Sequence, residues 1–165
     1  MSTLYPQNNS ARMMLDLGGV WDFRFQGDET WQPIAVPASY NDQNPDPRFR
    51  KTAGIVEYRR KITIPAGWKG MRVCLRFDAV AHNARILLNG REIATHRGGF
   101  LPFEVELNGL LEAGGTAELT VEADNRISHN TLPIGTEGET AFFGSDNPGI
   151  PSVEAGKKMQ IERGI

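Results

Sequence analysis

The chain is poor in the residues and runs that announce most chemistries. It holds a single cysteine, Cys74, among 165 residues. That excludes an internal disulfide and any zinc site built on several cysteines. Its three histidines, His82, His96 and His129, stand far apart and match no metal-ligand spacing. They read as turn and strand-end residues in ordinary hydrogen bonds, and no metal or cofactor is expected. No run approaches about 18 consecutive apolar residues, so no membrane-spanning helix is expected. The first residues lack the apolar stretch of a secretory leader. Together these point to a cytoplasmic protein with no membrane partner. Charge is nearly balanced, at −2, so nothing draws the chain toward nucleic acid. Its longest basic run, Arg59-Arg60-Lys61, sits inside a strand-like segment and reads as a solvated face.

Motifs with an engine in them are missing as well. There is no Gly-x-Ser-x-Gly elbow, no Walker loop and no Gly-x-Gly-x-x-Gly. Carboxylates are plentiful, but most fall at the polar positions of alternating segments. A glycosidase needs two of them facing each other at a set separation, and spacing alone does not supply that.

What is present is alternation. Trp21, Phe23 and Phe25 alternate with Asp22, Arg24 and Gln26. Val56, Tyr58, Ile62 and Ile64 share one face of the next long run. Met71, Val73, Leu75 and Phe77 follow, then Ile86 and Leu88, then Phe103, Val105 and Leu107. Ala117, Leu119, Val121 and Ala123 close the series. Period two with one apolar side predicts antiparallel sheets, packed on one face and wet on the other. Trp21, Tyr58, Leu75, Phe77, Ile86, Leu88, Phe103 and Leu119 are the expected core. Asn89-Gly90 predicts a tight hairpin, because both central residues of a type I′ turn need positive φ. Gly98-Gly99, Asn108-Gly109 and Gly114-Gly115 mark further turns, with one short helical turn between the last two. Many short strands and no long amphipathic helix predict an all-β fold, an antiparallel β-sandwich or jelly roll.

Two regions lack the pattern. Residues 38–52, "ASYNDQNPDPRFRKT", read as a polar, proline-containing loop. Residues 134–165 read as an irregular, Gly/Pro-rich C-terminal segment. With residues 1–14 as an N-terminal arm, the sandwich is expected over residues 15–133. One charge breaks the alternation: Arg60 shares the parity of Val56, Tyr58 and Ile62. An inward guanidinium needs partners. A structural ion pair, a bulge that turns it outward, and a sugar or anion contact all remain open.

The strings "LGGVWDFRF", "VPASYND", "VEYRRKITIPAGWKGMRVCLRFDAVAHNARILLNGREIATHRGGFLPFEVEL" and "LTVEADN" resemble the N-terminal sugar-binding domain of glycoside hydrolase family 2, most of all its β-glucuronidase members. The resemblance covers residues 15–133 and implies a jelly roll of the galactose-binding type. It also implies a platform role beside an immunoglobulin-like domain and a catalytic barrel that carries the two glutamates. A barrel takes ~250 residues, and the chain has no Asn-Glu dipeptide, the family's acid/base signature. The expectation is therefore a domain standing without its barrel, with no catalytic residue of its own. Past Pro133 the family carries an aspartate that reaches the active site. The nearest counterpart here is "FFGSDNPGI", which makes Asp146 and Asn147 carbohydrate-contact candidates beside Arg60, although Asp-Asn-Pro-Gly is also good turn chemistry. The implied partner is a carbohydrate of β-glucuronide or β-galactoside type. A solitary copy is also expected to self-associate, with Phe142 and Phe143 as candidate surface. Two other roles compete with this one: an independent carbohydrate-binding module, which would show aromatics to its sugar, and a structural or interaction protein.

Overall fold

The structure, a computed structural model, describes residues 8–127. Eight strands run β1 Gly19–Phe25, β2 Gln32–Val36, β3 Ile55–Thr63, β4 Cys74–Phe77, β5 Asn83–Leu88, β6 Arg91–Arg97, β7 Phe103–Glu106 and β8 Thr116–Asp124. They form a six-stranded sheet in the order β2-β1-β3-β8-β5-β6 and a two-stranded sheet, β4-β7. Every pairing is antiparallel. The fold is the β-sandwich that the alternation predicts.

The alternation also sets which side faces in. Trp21, Phe23, Phe25, Val56, Ile62, Ile86, Leu88, Leu119 and Val121 are buried between the sheets, with Leu75 and Val105 opposite them. Tyr58, Phe77 and Phe103, expected in the core, are half-buried and pack against it. Phe77 and Phe103 stack at 4.8 Å on the smaller sheet, and His96 stacks on Phe103 at 3.9 Å. The outer face is a charge ladder. Arg24 pairs with Glu57 at 2.7 Å, Arg59 with Asp22 at 3.1 Å, and Arg85 with Glu92 and Glu122 at 2.8 and 2.6 Å.

The Asn89-Gly90 hairpin forms as expected. Leu88 faces Arg91 across it, with φ of 50° at Asn89 and 76° at Gly90. A β-carbon at Gly90 would meet nothing within 4 Å, so the turn's demand on glycine is conformational rather than steric. Gly90→Ala is expected to lose about 1–2 kcal/mol, the usual cost of a left-handed backbone. A urea melt of that variant checks it.

Three expectations need correction. Residues 38–52 are not simply a loop. They hold a short 3-10 turn, Tyr40–Asp42, and one helix, α1 Pro47–Lys51. Asp46 caps α1 by accepting from the Arg48 N–H at 2.9 Å, with Pro47 at the first helical position, where its missing N–H costs nothing. These elements carry Tyr40 and Phe49 into the core. Strand β2 is a short edge strand that holds Pro33 and is followed by Pro37, residues that argue against a strand in sequence. Met71, placed on a core face by parity, lies before β4 and is exposed. The stretch around "LLEA" holds two turns: the Leu107 carbonyl accepts from the Leu110 and Leu111 N–H groups, and the Glu112 carbonyl accepts from the Gly115 N–H at 2.8 Å.

Candidate functional site

Between β4 and residues 36–41 the sandwich opens into a cavity of about 600 Å³. Its floor comes from the large sheet, through Trp21, Val56, Tyr58, Leu119, Val121 and Ala123. One wall is Leu75 to Ala81; the other is Asp16 to Gly18 with Val36 to Asn41. The apolar floor follows from strand parity. The polar rim follows from the turn-forming segments that edge it.

Most rim polar groups are already engaged. The Tyr40 hydroxyl donates to Thr52 O at 2.8 Å and accepts from Asn125 Nδ2 at 2.5 Å. Asn125 Oδ1 in turn accepts from the Gly54 N–H at 2.7 Å. Asn41 Nδ2 donates to Phe49 O. Arg76 is held by Asp78 at 3.0 Å and Glu104 at 3.5 Å. Burial pushes the Tyr40 phenol up, and the bonds from Asn125 and Asn41 oppose it. Tyr58 differs. It lines the cavity, it packs on Phe23 at 5.2 Å, and burial pushes its phenol up, with a smaller push from Tyr40.

Arg60 sits on β3 with inward parity, behind this rim. It makes neither of the two structural arrangements open to it in sequence. The β3–β8 register runs without a shift through Arg60↔Leu119, so no bulge turns it out. Its Nη1 donates to Leu17 O at 2.5 Å and Gly18 O at 2.7 Å, and its guanidinium lies 5.9 Å from the Trp21 ring. Leu17 O also accepts from Trp21 Nε1 at 2.8 Å. Arg60 thus tethers the chain entering β1. Asp146 and Asn147 lie outside the described residues, as do His129, Phe142 and Phe143.

The aromatic platform of a binding module is weakly represented. Trp21 is buried, as its alternation predicts. Trp68 packs against the core. Trp31 is approached by two guanidinium groups, Arg24 at 4.3 Å and Arg59 at 4.0 Å. Among the described residues no group of three or more metal-ligating side chains occurs. Burial pushes the Cys74 thiol up, which disfavours a reactive thiolate. No described helix is long and apolar enough to cross a membrane.

His82 and His96 each leave one ring nitrogen without the ordinary hydrogen bond expected of them. His82 Nδ1 and His96 Nε2 are buried with no partner among the described residues. The cause is their position: His82 faces inward, with Gly99 packed against it. Burial pulls the His82 pKa below its ordinary 6.5, against an opposing pull from Asp124. A folded-state pKa below the unfolded one means the unfolded chain takes the proton more readily. Stability is then full above about pH 6.5 and falls as the pH drops below it. His82→Gln should flatten that part of a stability-against-pH curve. An unchanged slope refutes the assignment.

A lateral cavity with much of its polar rim engaged, beside carboxylates many of which pair with arginine, characterises this β-sandwich domain. The chain belongs to the glycosyl hydrolases of family 2: the model of that family's sugar binding domain matches residues 16–131. The beta-glucuronidase of Paenibacillus borealis is 34% identical over 145 residues, covering 80% of this chain and 24% of its own length. The structure of Faecalibacterium prausnitzii beta-glucuronidase superposes with a TM-score of 0.76 at 51% identity, covering 93% of this chain and 28% of that one. A beta-glucuronidase from an uncultured Clostridium gives 0.77 at 37%, covering 82% and 26%. The chain therefore spans about a quarter of the length of these relatives.

Proposed function

We propose that this chain acts as the sugar-binding platform of a β-glucuronidase-type enzyme and carries no turnover of its own. The observation that carries the reading is the match of the sugar binding domain to residues 16–131, joined to a cavity whose rim presents few free polar groups. A retaining glycosidase needs a protonated carboxylic acid and a carboxylate nucleophile ~5–5.5 Å apart. The described carboxylates go the other way. Asp124, for example, is held below the usual range, chiefly by its bond from Arg126. What remains for a sugar is an edge contribution, and a few contacts must still overcome the entropy of association.

The ligand class is a β-glucuronide or β-galactoside, bound at millimolar strength or weaker, about −4 kcal/mol at most. The finer fold assignment, a jelly roll of the galactose-binding type, belongs to the same proposal. So do self-association, supported by the exposed Phe100 and Leu101, and a cytoplasmic location, supported by the lone free cysteine. The test is purified protein with chromogenic glucuronides and galactosides, alongside calorimetry with glucuronic acid and galactose. No turnover is expected. Turnover abolished by changing one of this chain's own carboxylates overturns the reading. Micromolar binding without turnover replaces it with the independent binding module.

A further inference from the structure

The six-stranded sheet ends at β2, which has β1 on one side and no further strand on the other among the described residues. An edge of this kind presents bare N–H and C=O groups, a template on which another chain can pair. Main-chain bonding alternates along an antiparallel strand. The Ala35 N–H and C=O are bonded to a side chain rather than to β1, so Pro33 and Ala35 are the outward positions of β2, and Gln32, Ile34 and Val36 face β1. Proline takes donors from this edge: Pro33 has no N–H, and neither has Pro37, just past the strand. Ala35 is the remaining outward donor of β2.

Gln43 occupies it. Its Oε1 accepts from the Ala35 N–H at 2.7 Å, and its Nε2 donates to Ala35 O at 3.0 Å. Those are the two bonds by which facing residues of neighbouring strands join. The side chain is held in that pose. Nε2 also donates to Ser39 O at 3.0 Å, which uses both amide hydrogens. The Gln43 main-chain N–H donates to Tyr40 O at 3.1 Å, closing the 3-10 turn that puts Tyr40 in the core. Next to it, Asn44 Nδ2 donates to Gln32 Oε1 at 3.2 Å, so two successive side-chain amides lie along β2.

We propose that Gln43 is an inhibitory contact, which closes the β2 edge to a second copy of this chain. The usual guards of an edge strand are charge, proline and a bulge. β2, Gln-Pro-Ile-Ala-Val, carries no charge, and its register with β1 runs from Gly19↔Val36 to Phe23↔Gln32 without a shift. Its prolines leave the window at Ala35. The sequence complements itself there. A two-fold axis at Ala35 sets that residue opposite Ala35 of the second copy, with Ile34 opposite Val36, and each Ala35 offers the other the donor and acceptor that Gln43 now takes. No like charges oppose one another in that pairing. Gln43 prevails because it is tethered: a short tether gives a local concentration on the order of millimolar, far above that of a second copy in dilute solution.

Residue-resolved hydrogen exchange on the full chain, in a dilution series, tests this. In the parent the Ala35 amide should exchange about tenfold or more slower than in free chain, at one rate at every concentration. Gln43→Met keeps the stem and removes the amide. It should release Ala35 in dilute solution and leave the amides of the facing pair Trp21 and Ile34 protected, which shows that the sheet still folds. Raising its concentration should slow Ala35 again as second copies pair. Adding Pro33→Thr, which gives the edge a second N–H, should bring that recovery at about tenfold lower concentration. A scalar coupling across the hydrogen bond from Ala35 N to Gln43 Cδ reads the contact in the parent and decides if the variant does not fold. A missing coupling overturns the proposal, as does free-chain exchange of Ala35 in the parent. Parent protection lost on dilution overturns it by giving the edge to a second copy already. Protection that survives Gln43→Met in dilute solution overturns it too, and so does an opened edge that no concentration closes.

Discussion

Phe23→Ala is expected to lower the free energy of unfolding by about 3–5 kcal/mol, the range for emptying an aromatic site in a packed core. Phe23 is fully buried. Its ring centre lies 5.2 Å from Phe25, 5.3 Å from Tyr40, 5.3 Å from Phe49 and 5.2 Å from Tyr58. Two of those rings come from the large sheet. The other two come from residues 38–52, brought in by the 3-10 turn and α1. Phe23 thus joins the segment to the sheet, and its removal weakens both. The neighbouring rings are themselves fixed: Tyr40 is tied to Thr52 and Asn125, and Asn41 Nδ2 holds the Phe49 carbonyl. They have little freedom to collapse into the space, so the loss should fall in the upper half of the range. Urea denaturation measures it, with a lower midpoint and an unchanged slope. A loss below about 1 kcal/mol, the central value for an ordinary point mutation, would separate residues 38–52 from the core.

The sandwich was legible because its signal is local. Alternation names the inward face of β1, β3, β5, β7 and β8 without knowing what lies opposite, and Asn89-Gly90 specifies its own turn. What escaped depends on partners distant in sequence. Residues 38–52 look polar because their buried content is two isolated aromatics, Tyr40 and Phe49, without period. Asp46-Pro47 is the signal for α1, an N-cap followed by a first-turn proline, but the same dipeptide also suits a loop. The cavity left no mark, because it arises from the difference in width between two sheets, and no single segment encodes that difference. His82 and His96 looked ordinary because burial without a partner is a property of surroundings.

Arg60 is the candidate site residue that the described structure places, and Arg60→Met is expected to cost about 2–3 kcal/mol, toward the upper end for hydrogen bonds made by a charged group. The argument starts from parity. Lying between Tyr58 and Ile62, Arg60 must point inward, and a guanidinium there persists only if its donors are used. Its partners are carbonyls, Leu17 O at 2.5 Å and Gly18 O at 2.7 Å. Leu17 O keeps a second donor in Trp21 Nε1, so the deletion falls mainly on Gly18 O. The backbone there has little room to find another partner. A β-carbon at Gly18 would lie 3.3 Å from Val36 O. Gly19 has φ +117°, and a β-carbon there would lie 3.7 Å from Arg60 Nη1. Methionine keeps the stem's packing and removes the donors, which separates hydrogen bonding from volume. Lysine should restore part of the loss, since one ammonium reaches a carbonyl but lacks the planar fork. The same variant discriminates the roles of Arg60. As a tether, it should lower the thermal midpoint and leave any calorimetric heat with glucuronic acid unchanged, measured where both proteins are folded. Unaltered stability with that heat abolished would instead make Arg60 a sugar contact, and the rim of the cavity the place where the sugar sits.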